Sequence, residues 1–312
     1  MTRRWHVVAT DLMHSEPTER IERIARLSVL STAGRSRGEV LGDADALIVR
    51  TPISEDDVRV GRNLKVIVRH GAGLDFIPVD LARSLGIAVA SVPDANSISV
   101  AEHVIGVMLG MARQFARLDS ELRSGNWQVR SQVRAHQLAG RTLGIVGVGR
   151  IGRLVAIRAA KGLGMRTIGY DAAGSDLPDY VERVASLDAL MEAADIVTVH
   201  VPLTKDTANL IDGARLRRMK RGSWLINAAR GGVVDEAELA NCLTDGHLAG
   251  AALDVFSRQP IDPSSPLLKA PNTLLTPHSA SLTVESYRAM GMGAVEEVER
   301  AFRGEPLANP VS

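Results

Sequence analysis

The chain has 312 residues, of which 45% are hydrophobic and 23% charged, with a formal net charge of +1. This length is large for one core and suits two domains of about 100 to 200 residues each. The 37 basic residues are matched by 36 acidic ones, so the charge balance gives no reason to expect a nucleic-acid partner. The single cysteine, Cys242, excludes an intrachain disulfide and offers no zinc cluster, and we predict no metal site.

The first residues, MTRRWHVVATDLM, include two arginines but no long apolar region. The sequence contains no pattern typical of a signal peptide or of a membrane span. We therefore predict a cytoplasmic protein without a membrane partner.

Apolar runs typical of strands alternate with helical patterns over the first 95 residues. The sequence predicts strands at Trp5–Ala9, Ala46–Val49, Val66–Val68 and Ile87–Ala90, and helices at Pro17–Leu27 and Ser54–Asn63. Ile21, Ile24 and Leu27 are expected to be the inward-facing residues of the first helix. This alternation predicts a small α/β unit with a parallel sheet and crossover helices.

A long apolar helix is predicted next, at Val100–Phe115. A helix this apolar is expected to be buried between domains or between subunits. We therefore predict a homodimer that packs through it.

The stretch from Arg141 to Asp171 has the pattern of a dinucleotide-binding turn. A strand at Thr142–Val146 leads into Gly147, Gly149 and Gly152, which have GxGxxG spacing. The first glycine permits a tight bend, the second lets a pyrophosphate approach the backbone, and the third lets the following helix sit close to the sheet. The start of that helix offers N–H groups and a partial positive charge to phosphates.

Asp171 closes the second strand of this unit, predicted at Met165–Tyr170. A carboxylate here can accept hydrogen bonds from both ribose hydroxyls of an adenosine, whereas a 2′-phosphate would meet a like charge. The sequence therefore predicts NAD as the cofactor.

The rest of the chain has the pattern of the second half of a doubly wound sheet. Further strands are predicted at Ile196–Val201, Ser223–Asn227, Gly250–Val255 and Thr273–Leu275, with helices at Leu187–Ala193, Ala214–Met219 and Glu236–Asp245. The last predicted helix, Val284–Arg303, is expected to return to the first domain.

Ligands of such a sheet bind beyond the C-terminal ends of the strands, so the turns after the strands are the candidate site. Asn227–Arg230, Asp254–Pro260 and Pro277–His278 follow three successive strands. We expect these three turns to face one crevice.

The chain resembles the NAD-dependent D-2-hydroxyacid dehydrogenases, a family that includes phosphoglycerate, glyoxylate and D-lactate dehydrogenases. The matching stretches are RHGAGLDFIPVD, NSISVAEHVIGVML, GIVGVGRIG, HVPLTKDT, LINAARGGVVDEAEL, GAALDVF and LLTPHSA. The resemblance implies two doubly wound parallel-sheet domains, with a Rossmann-type cofactor domain (98–284) inserted into a smaller flavodoxin-like substrate domain (1–97 and 285–312). It also implies NADH-dependent reduction of a 2-keto acid to a D-2-hydroxy acid, of unspecified side chain.

The chemistry accounts for the residue types that the resemblance singles out. A hydride added to a keto carbon leaves an alkoxide, which a histidine can protonate; by resemblance this is His278. A guanidinium can bind the substrate carboxylate and polarise the keto oxygen, and this is Arg230. The backbone N–H groups of Ala72 and Gly73 resemble the family's carboxylate cradle.

The same resemblance implies a set of cofactor contacts at the sheet edge. They are Gly147, Gly149, Arg150, Ile151, Gly152, Asp171, Val201, Pro202, Thr207, Ala228, Ala229, Arg230, Asp254 and His278. His70 and His103 adjoin the motifs, and two roles stay open for them: lining the pocket, or a structural role without contact to a ligand.

One position departs from the family pattern. Gln259 stands where the family usually has a glutamate that hydrogen-bonds the catalytic histidine. A neutral amide can orient an imidazole, but it cannot supply the charge that raises the pKa of the ring.

Formate dehydrogenases, a branch of the same superfamily, have glutamine at this point. They also resemble this chain at Asn96–Val104, and the asparagine that matches Asn96 holds formate in that branch. Formate oxidation is therefore the alternative to 2-keto acid reduction. A third hypothesis is an NAD(H)-sensing interaction protein, because corepressors resembling this family keep the fold.

Overall fold

The computed structural model describes residues 4–174 and 176–311. The chain is divided into two units, each with its own sheet. One unit contains the described residues up to Ser97 together with those from Leu282 onward, and the other is Ile98–Ser281. The sequence predicted the second junction three residues later, at 284/285.

The first unit contains a parallel five-stranded sheet. Its strands are β1 (Trp5–Ala9), β2 (Ala25–Val29), β3 (Ala46–Val49), β4 (Val66–Arg69) and β5 (Ala88–Ala90). Their order is β2-β1-β3-β4-β5, which is the order of flavodoxin-like sheets. The helices between them are α1 (Ser15–Ile24), α2 (Arg37–Leu41), α3 (Glu55–Val60) and α4 (Val79–Ser84).

Both faces of this sheet are buried, as expected for a parallel sheet. Val7 and Ile48 pack on one face with Ile21 of α1, whereas Val8 and Leu47 pack on the other face in the cluster that includes residues of α2, α3 and α4. The helices begin where the sequence offers caps. Ser36 and Ser54, for example, form capping boxes at the starts of α2 and α3.

The predicted helix at Pro17–Leu27 is wrong in its last part. Helix α1 ends at Ile24, and Ala25–Val29 forms the edge strand β2 beside β1. Ile24, expected to face inward, is 38% exposed. The apolar spacing of this short segment fits a helix, but pairing with β1 decides its conformation.

The second unit contains a parallel seven-stranded sheet. Its strands are β6 (Thr142–Val146), β7 (Arg166–Tyr170), β8 (Glu182–Arg183), β9 (Ile196–Val199), β10 (Trp224–Asn227), β11 (Gly250–Leu253) and β12 (Thr273–Leu275). Their order is β12-β11-β10-β9-β6-β7-β8. This is the Rossmann order with one additional strand. Successive strands are added on one side of β6 up to β8 and on its other side from β9 onward. The predicted fold class is confirmed.

The helices of the second unit cover both faces of this sheet. They are α5 (Ser97–Arg113), α6 (Phe115–Arg123), α7 (Val129–Gln132), α8 (Arg150–Ile157), α9 (Leu187–Ala193), α10 (Gly213–Arg218) and α11 (Glu236–Thr244). Cys242 is buried in α11. The last helix, α12 (Val284–Arg303), belongs to the first unit, where Ala294, Val295 and Val298 enter its core.

The long apolar helix begins and ends a few residues earlier than its predicted bounds, Val100–Phe115. Helix α5 ends at Arg113, because Gln114 has a left-handed backbone (φ +53°) from which α6 starts in a new direction. Val104 and Met108 of α5 lie in the core of the second unit. None of the helices in the described part of the chain is both long enough and apolar enough to cross a membrane.

Candidate active site

The turn after β6 has the features that a diphosphate requires. Gly147 has φ +89°, and a Cβ there would lie 2.8 Å from Val201 Cγ1. A Cβ on Gly152 would lie 2.2 Å from Gly147 O, so only glycine lets α8 start this close to the strand. By contrast, a Cβ on Gly149 would meet nothing within 4 Å. Space is therefore open on the side of Gly149, at the start of α8.

The first turn of α8 also presents backbone donors to this space. Gly149 is the N-cap residue, and no side chain caps the helix. The N–H groups of the first turn lack partners within an α-helix, and they attract anions. Arg150 and Ile151, predicted to contact the cofactor, are the first two residues of this helix.

Asp171 lies directly beside the glycine turn. Its Oδ2 accepts the N–H of Val148 at 3.0 Å, and its Oδ1 accepts the N–H of Ala173 at 3.0 Å. The carboxylate is thus fixed at the end of β7 by the loop that would hold the diphosphate. This arrangement fits an adenosine ribose beside the glycine turn.

The turn after β9 is closed by threonine side chains. Thr207 Oγ1 donates to Pro202 O at 2.6 Å and accepts the N–H of Thr204 at 2.7 Å. His200 precedes this turn, and burial lowers the pKa of its imidazole to about 4. His200 is therefore a neutral structural residue at physiological pH, with a hydrogen bond to Thr198 Oγ1 at 2.9 Å.

Arg230 is carried by a turn that Asn227 organises. Asn227 is buried; its Oδ1 accepts the N–H of Ala229 at 3.0 Å and its Nδ2 donates to Arg230 O at 3.0 Å. The guanidinium of Arg230 donates to Ala229 O at 2.7 Å and is half-buried. Asn227 thus shapes the loop that contains Ala228, Ala229 and Arg230.

His278 follows β12 in a left-handed conformation, with φ +52°. Its N–H donates to Asp254 O at 2.8 Å and to Thr276 O at 3.0 Å, which holds this strained backbone in place. Ring atom Nδ1 lies 2.7 Å from Gln259 Oε1. The amide oxygen can only accept, so the imidazole carries a proton on Nδ1.

Asp254 anchors the loop that carries His278 through hydrogen bonds. Its carboxylate accepts the N–H groups of Ser279 at 2.8 Å and Ala280 at 2.9 Å, and the hydroxyl of Thr276 at 2.6 Å. The side chain is only 1% exposed. The structure therefore places Asp254 under the loop of His278, and its contact with a nicotinamide stays a prediction.

His103 joins the same polar group. Its Nε2 lies 3.4 Å from Thr276 Oγ1 and 4.0 Å from Asp254 Oδ1. Thr276 was not predicted as a site residue, although its place directly before Pro277-His278 could have indicated it. His70, the other histidine that adjoins the motifs, is buried in the first unit, where burial and the charges of Arg50 and Arg69 lower its pKa to about 3.

The predicted carboxylate cradle lies in the first unit, after β4. Within the described part of the chain, the N–H groups of Ala72 and Gly73 donate to no acceptor. Arg69 braces this loop from behind, because its guanidinium donates to Gly73 O at 2.8 Å and to His70 O at 3.1 Å. Asn96, in the loop before α5, has a buried Oδ1 without a hydrogen-bond partner among the described residues.

Among residues 4–174 and 176–311, no three His, Cys, Asp or Glu side chains are grouped so that they could hold a metal ion.

Residues 105–280 match the family described as "D-isomer specific 2-hydroxyacid dehydrogenase, NAD binding domain". The chain belongs to this family. The match covers the whole sheet edge that carries the glycine turn, Asp171, Arg230 and His278, and it identifies the second unit as the family's NAD-binding domain.

Similar proteins in this dehydrogenase family differ in length. The chain is 37% identical to a D-3-phosphoglycerate dehydrogenase of Methanocaldococcus jannaschii over 98% of its own length but 59% of that protein. It is 36% identical to a hydroxypyruvate reductase of Thermotoga maritima over 95% of the chain and 97% of the relative. The chain thus spans little more than half of the phosphoglycerate dehydrogenases that it matches.

A solved structure of similar length has the same fold. The TT0316 protein from Thermus thermophilus superimposes with a TM-score of 0.90 at 32% identity, over 98% of this chain and 100% of that one. Both units of the present chain therefore have a counterpart in one known structure.

Proposed function

We propose that the protein reduces a 2-keto acid to the D-2-hydroxy acid with NADH, reversibly. One observation carries the proposal: the 2.7 Å contact between His278 Nδ1 and Gln259 Oε1. This contact fixes the tautomer in which Nε2 exchanges the proton with a substrate oxygen. The same sheet edge carries Arg230 after β10 and the glycine turn after β6, in the strand order β12-β11-β10-β9-β6.

Each residue has one step in the proposed reaction. NADH, when bound, supplies the hydride to the keto carbon. Arg230 binds the substrate carboxylate and draws electron density onto the keto oxygen through its fork of N–H donors. By family resemblance, the N–H groups of Ala72 and Gly73 also serve the carboxylate. His278 delivers a proton to the developing alkoxide and receives it back in the oxidation direction.

The proposed cofactor is NAD rather than NADP. Asp171 would face the adenosine ribose, and a 2′-phosphate there would meet its negative charge. The glycine turn and the uncapped start of α8 fit the diphosphate.

Asp171→Asn is expected to reduce the preference for NAD over NADP about tenfold, because it removes this repulsion while keeping one acceptor for Val148 N–H. The measurement is kcat/KM for both cofactors. Glu182→Gln is the control, because it removes an exposed carboxylate on the neighbouring strand β8. Equal use of both cofactors by the native protein would contradict the assignment.

Gln259→Glu is expected to shift the high-pH limb of keto acid reduction upward. A carboxylate 2.7 Å from Nδ1 favours the protonated imidazole, so the proton donor persists to higher pH. The measurement is the pH profile of kcat for reduction, on both sides of neutrality, in both proteins. An unchanged profile would show that the ring is not the titrating acid.

Formate oxidation is the second candidate, and Gln259 favours it. Hydride removal from formate needs no proton donor, so a neutral partner for His278 does not impair that reaction. NADH oxidation with glyoxylate, hydroxypyruvate, pyruvate and phenylpyruvate, beside NAD reduction with formate, separates the two. Turnover of formate alone would exclude keto acid reduction.

We also propose a homodimer. Large apolar side chains are exposed along α5, α6 and the segment that follows, namely Ile98, Phe115, Leu122 and Trp127. Helix α6 has no buried residue of its own. This surface, rather than the buried face of α5, would meet the second subunit, and the mass in solution tests it.

A further inference from the structure

The loop that carries Gln259 is exposed but held in place. It follows β11, and Ser257, Arg258 and Gln259 are all exposed. Glu236, the first residue of α11, reaches this loop with both carboxylate oxygens. Its Oε1 accepts the N–H of Ser257 at 2.5 Å, and its Oε2 accepts the hydroxyl of Ser257 at 3.0 Å.

A second contact joins this loop to the turn of Arg230. A Cβ on Gly231 would lie 1.9 Å from the carbonyl carbon of Phe256 and 2.2 Å from Ser257 N. The backbone next to Arg230 therefore lies directly against the peptide between Phe256 and Ser257. No other residue type fits at 231 without moving one of the two loops.

This peptide is hydrogen-bonded at both ends. Its N–H donates to Glu236, and its carbonyl oxygen, Phe256 O, accepts Gln259 Nε2 at 3.2 Å. The other end of the Gln259 amide, Oε1, meets His278 Nδ1 at 2.7 Å. Four groups thus form one chain: the Glu236 carboxylate, the 256–257 peptide, the Gln259 amide and the His278 imidazole.

We propose that Glu236 is a positioning residue, which fixes the Gln259 amide through the 256–257 peptide and thereby orients His278. Its consequence for turnover rests on the function proposed above; its consequence for the imidazole does not. Rotation of the peptide breaks its bonds to Glu236 and Gln259 together, so the carboxylate selects one orientation of the amide. Each bond in such a chain also polarises the next, so the negative charge of Glu236 makes Gln259 Oε1 a better acceptor.

The test is a double-mutant cycle of Glu236→Ala and Gln259→Ala. Glu236→Ala alone is expected to lower kcat of reduction about tenfold, because a displaced proton donor reacts more slowly. In the Gln259→Ala background the same change is expected to alter kcat less than about twofold, because the chain is already broken. Additive effects of the two substitutions, or an unchanged kcat in Glu236→Ala, would overturn the proposal.

Glu238→Gln is the matched control. Glu238 lies in the same first turn of α11, and its side chain accepts Asn241 Nδ2 at 3.1 Å rather than a group of the Gln259 loop. Glu236→Gln and Ser257→Ala are milder variants, each of which keeps part of the contact. They are expected to fall between native and Glu236→Ala, which keeps the test decisive if the alanine variant folds poorly.

Nuclear magnetic resonance of ¹⁵N-histidine gives a readout that does not need turnover. The ring signals of His278 are assigned by their loss in His278→Asn. Glu236→Ala and Gln259→Ala are both expected to shift them in the same direction, and Glu238→Gln to leave them in place. Unshifted signals in Glu236→Ala would refute the positioning role, whereas shifted signals in a protein that turns over no keto acid would refute only the proposed function.

Discussion

His278→Asn is expected to lower kcat for keto acid reduction by about 10² to 10⁴-fold, the range for loss of a positioned general acid. The alkoxide that follows hydride addition would then take its proton from water. Asparagine is close in size and can still donate to Gln259, so the loop held by Asp254 and Thr276 stays in place. The measurement is steady-state kcat with saturating NADH.

The dissociation constant of NADH is the control for His278→Asn. It reports on the glycine turn and Asp171, and it is expected to change little. The same variant also separates the two candidate reactions, because formate oxidation needs no proton donor. Retention of most of the native kcat for a keto acid would exclude His278 as the acid.

Motif spacing predicted the turns at this sheet edge, because the glycines and polar residues of a turn are required by contacts with residues close to them in the chain. Gly147 is required by a bend, and Gly152 by a close contact with Gly147 itself, five residues earlier in the chain. A sequence therefore carries their signature directly. The alternation of strands and helices, and with it the α/β class, followed from the same local patterns. The insertion of one domain into the other was implied only by the family resemblance.

Contacts between distant parts of the chain could not be predicted in this way. Glu236 looks like an ordinary acidic residue in the first turn of a helix, which the helix dipole alone would explain. Its contact with Ser257 depends on how two turns meet beyond β10 and β11. The role of Asp254 under the His278 loop is of the same kind, since a carboxylate at a strand end fits a ligand and a backbone anchor equally well.

The edge strand β2 was missed for a related reason. Its residues, ARLSV, continue the apolar spacing of α1, and their own pattern does not distinguish a strand from a helix. Their conformation is set by five paired positions along β1. Central strands such as β3, which are buried throughout, have a stronger signal and were predicted at their observed bounds.

Arg230→Lys is expected to lower kcat/KM for a keto acid by about 10² to 10³-fold. Lysine keeps the positive charge, but it loses the planar fork that would bind the carboxylate and the keto oxygen together. Both kcat and KM are expected to deteriorate, because one group serves binding and polarisation. Arg218→Lys is the control, since Arg218 is an exposed arginine of α10 that pairs with Glu192 at 2.8 Å.

One further measurement on Arg230→Lys separates binding from polarisation. Propionate has a carboxylate but no oxygen on the neighbouring carbon, so its inhibition constant reports carboxylate binding alone. A rise in this constant smaller than the fall in kcat/KM would assign the remainder to the keto oxygen, where charge develops only as the hydride arrives. If kcat/KM stays close to native, the guanidinium does not contact the reacting group. Strands β10 and β12, which precede Arg230 and His278, are two strand spacings apart, or about 10 Å. An Arg230 side chain that does not reach the substrate of His278 would therefore have to point away from the sheet edge.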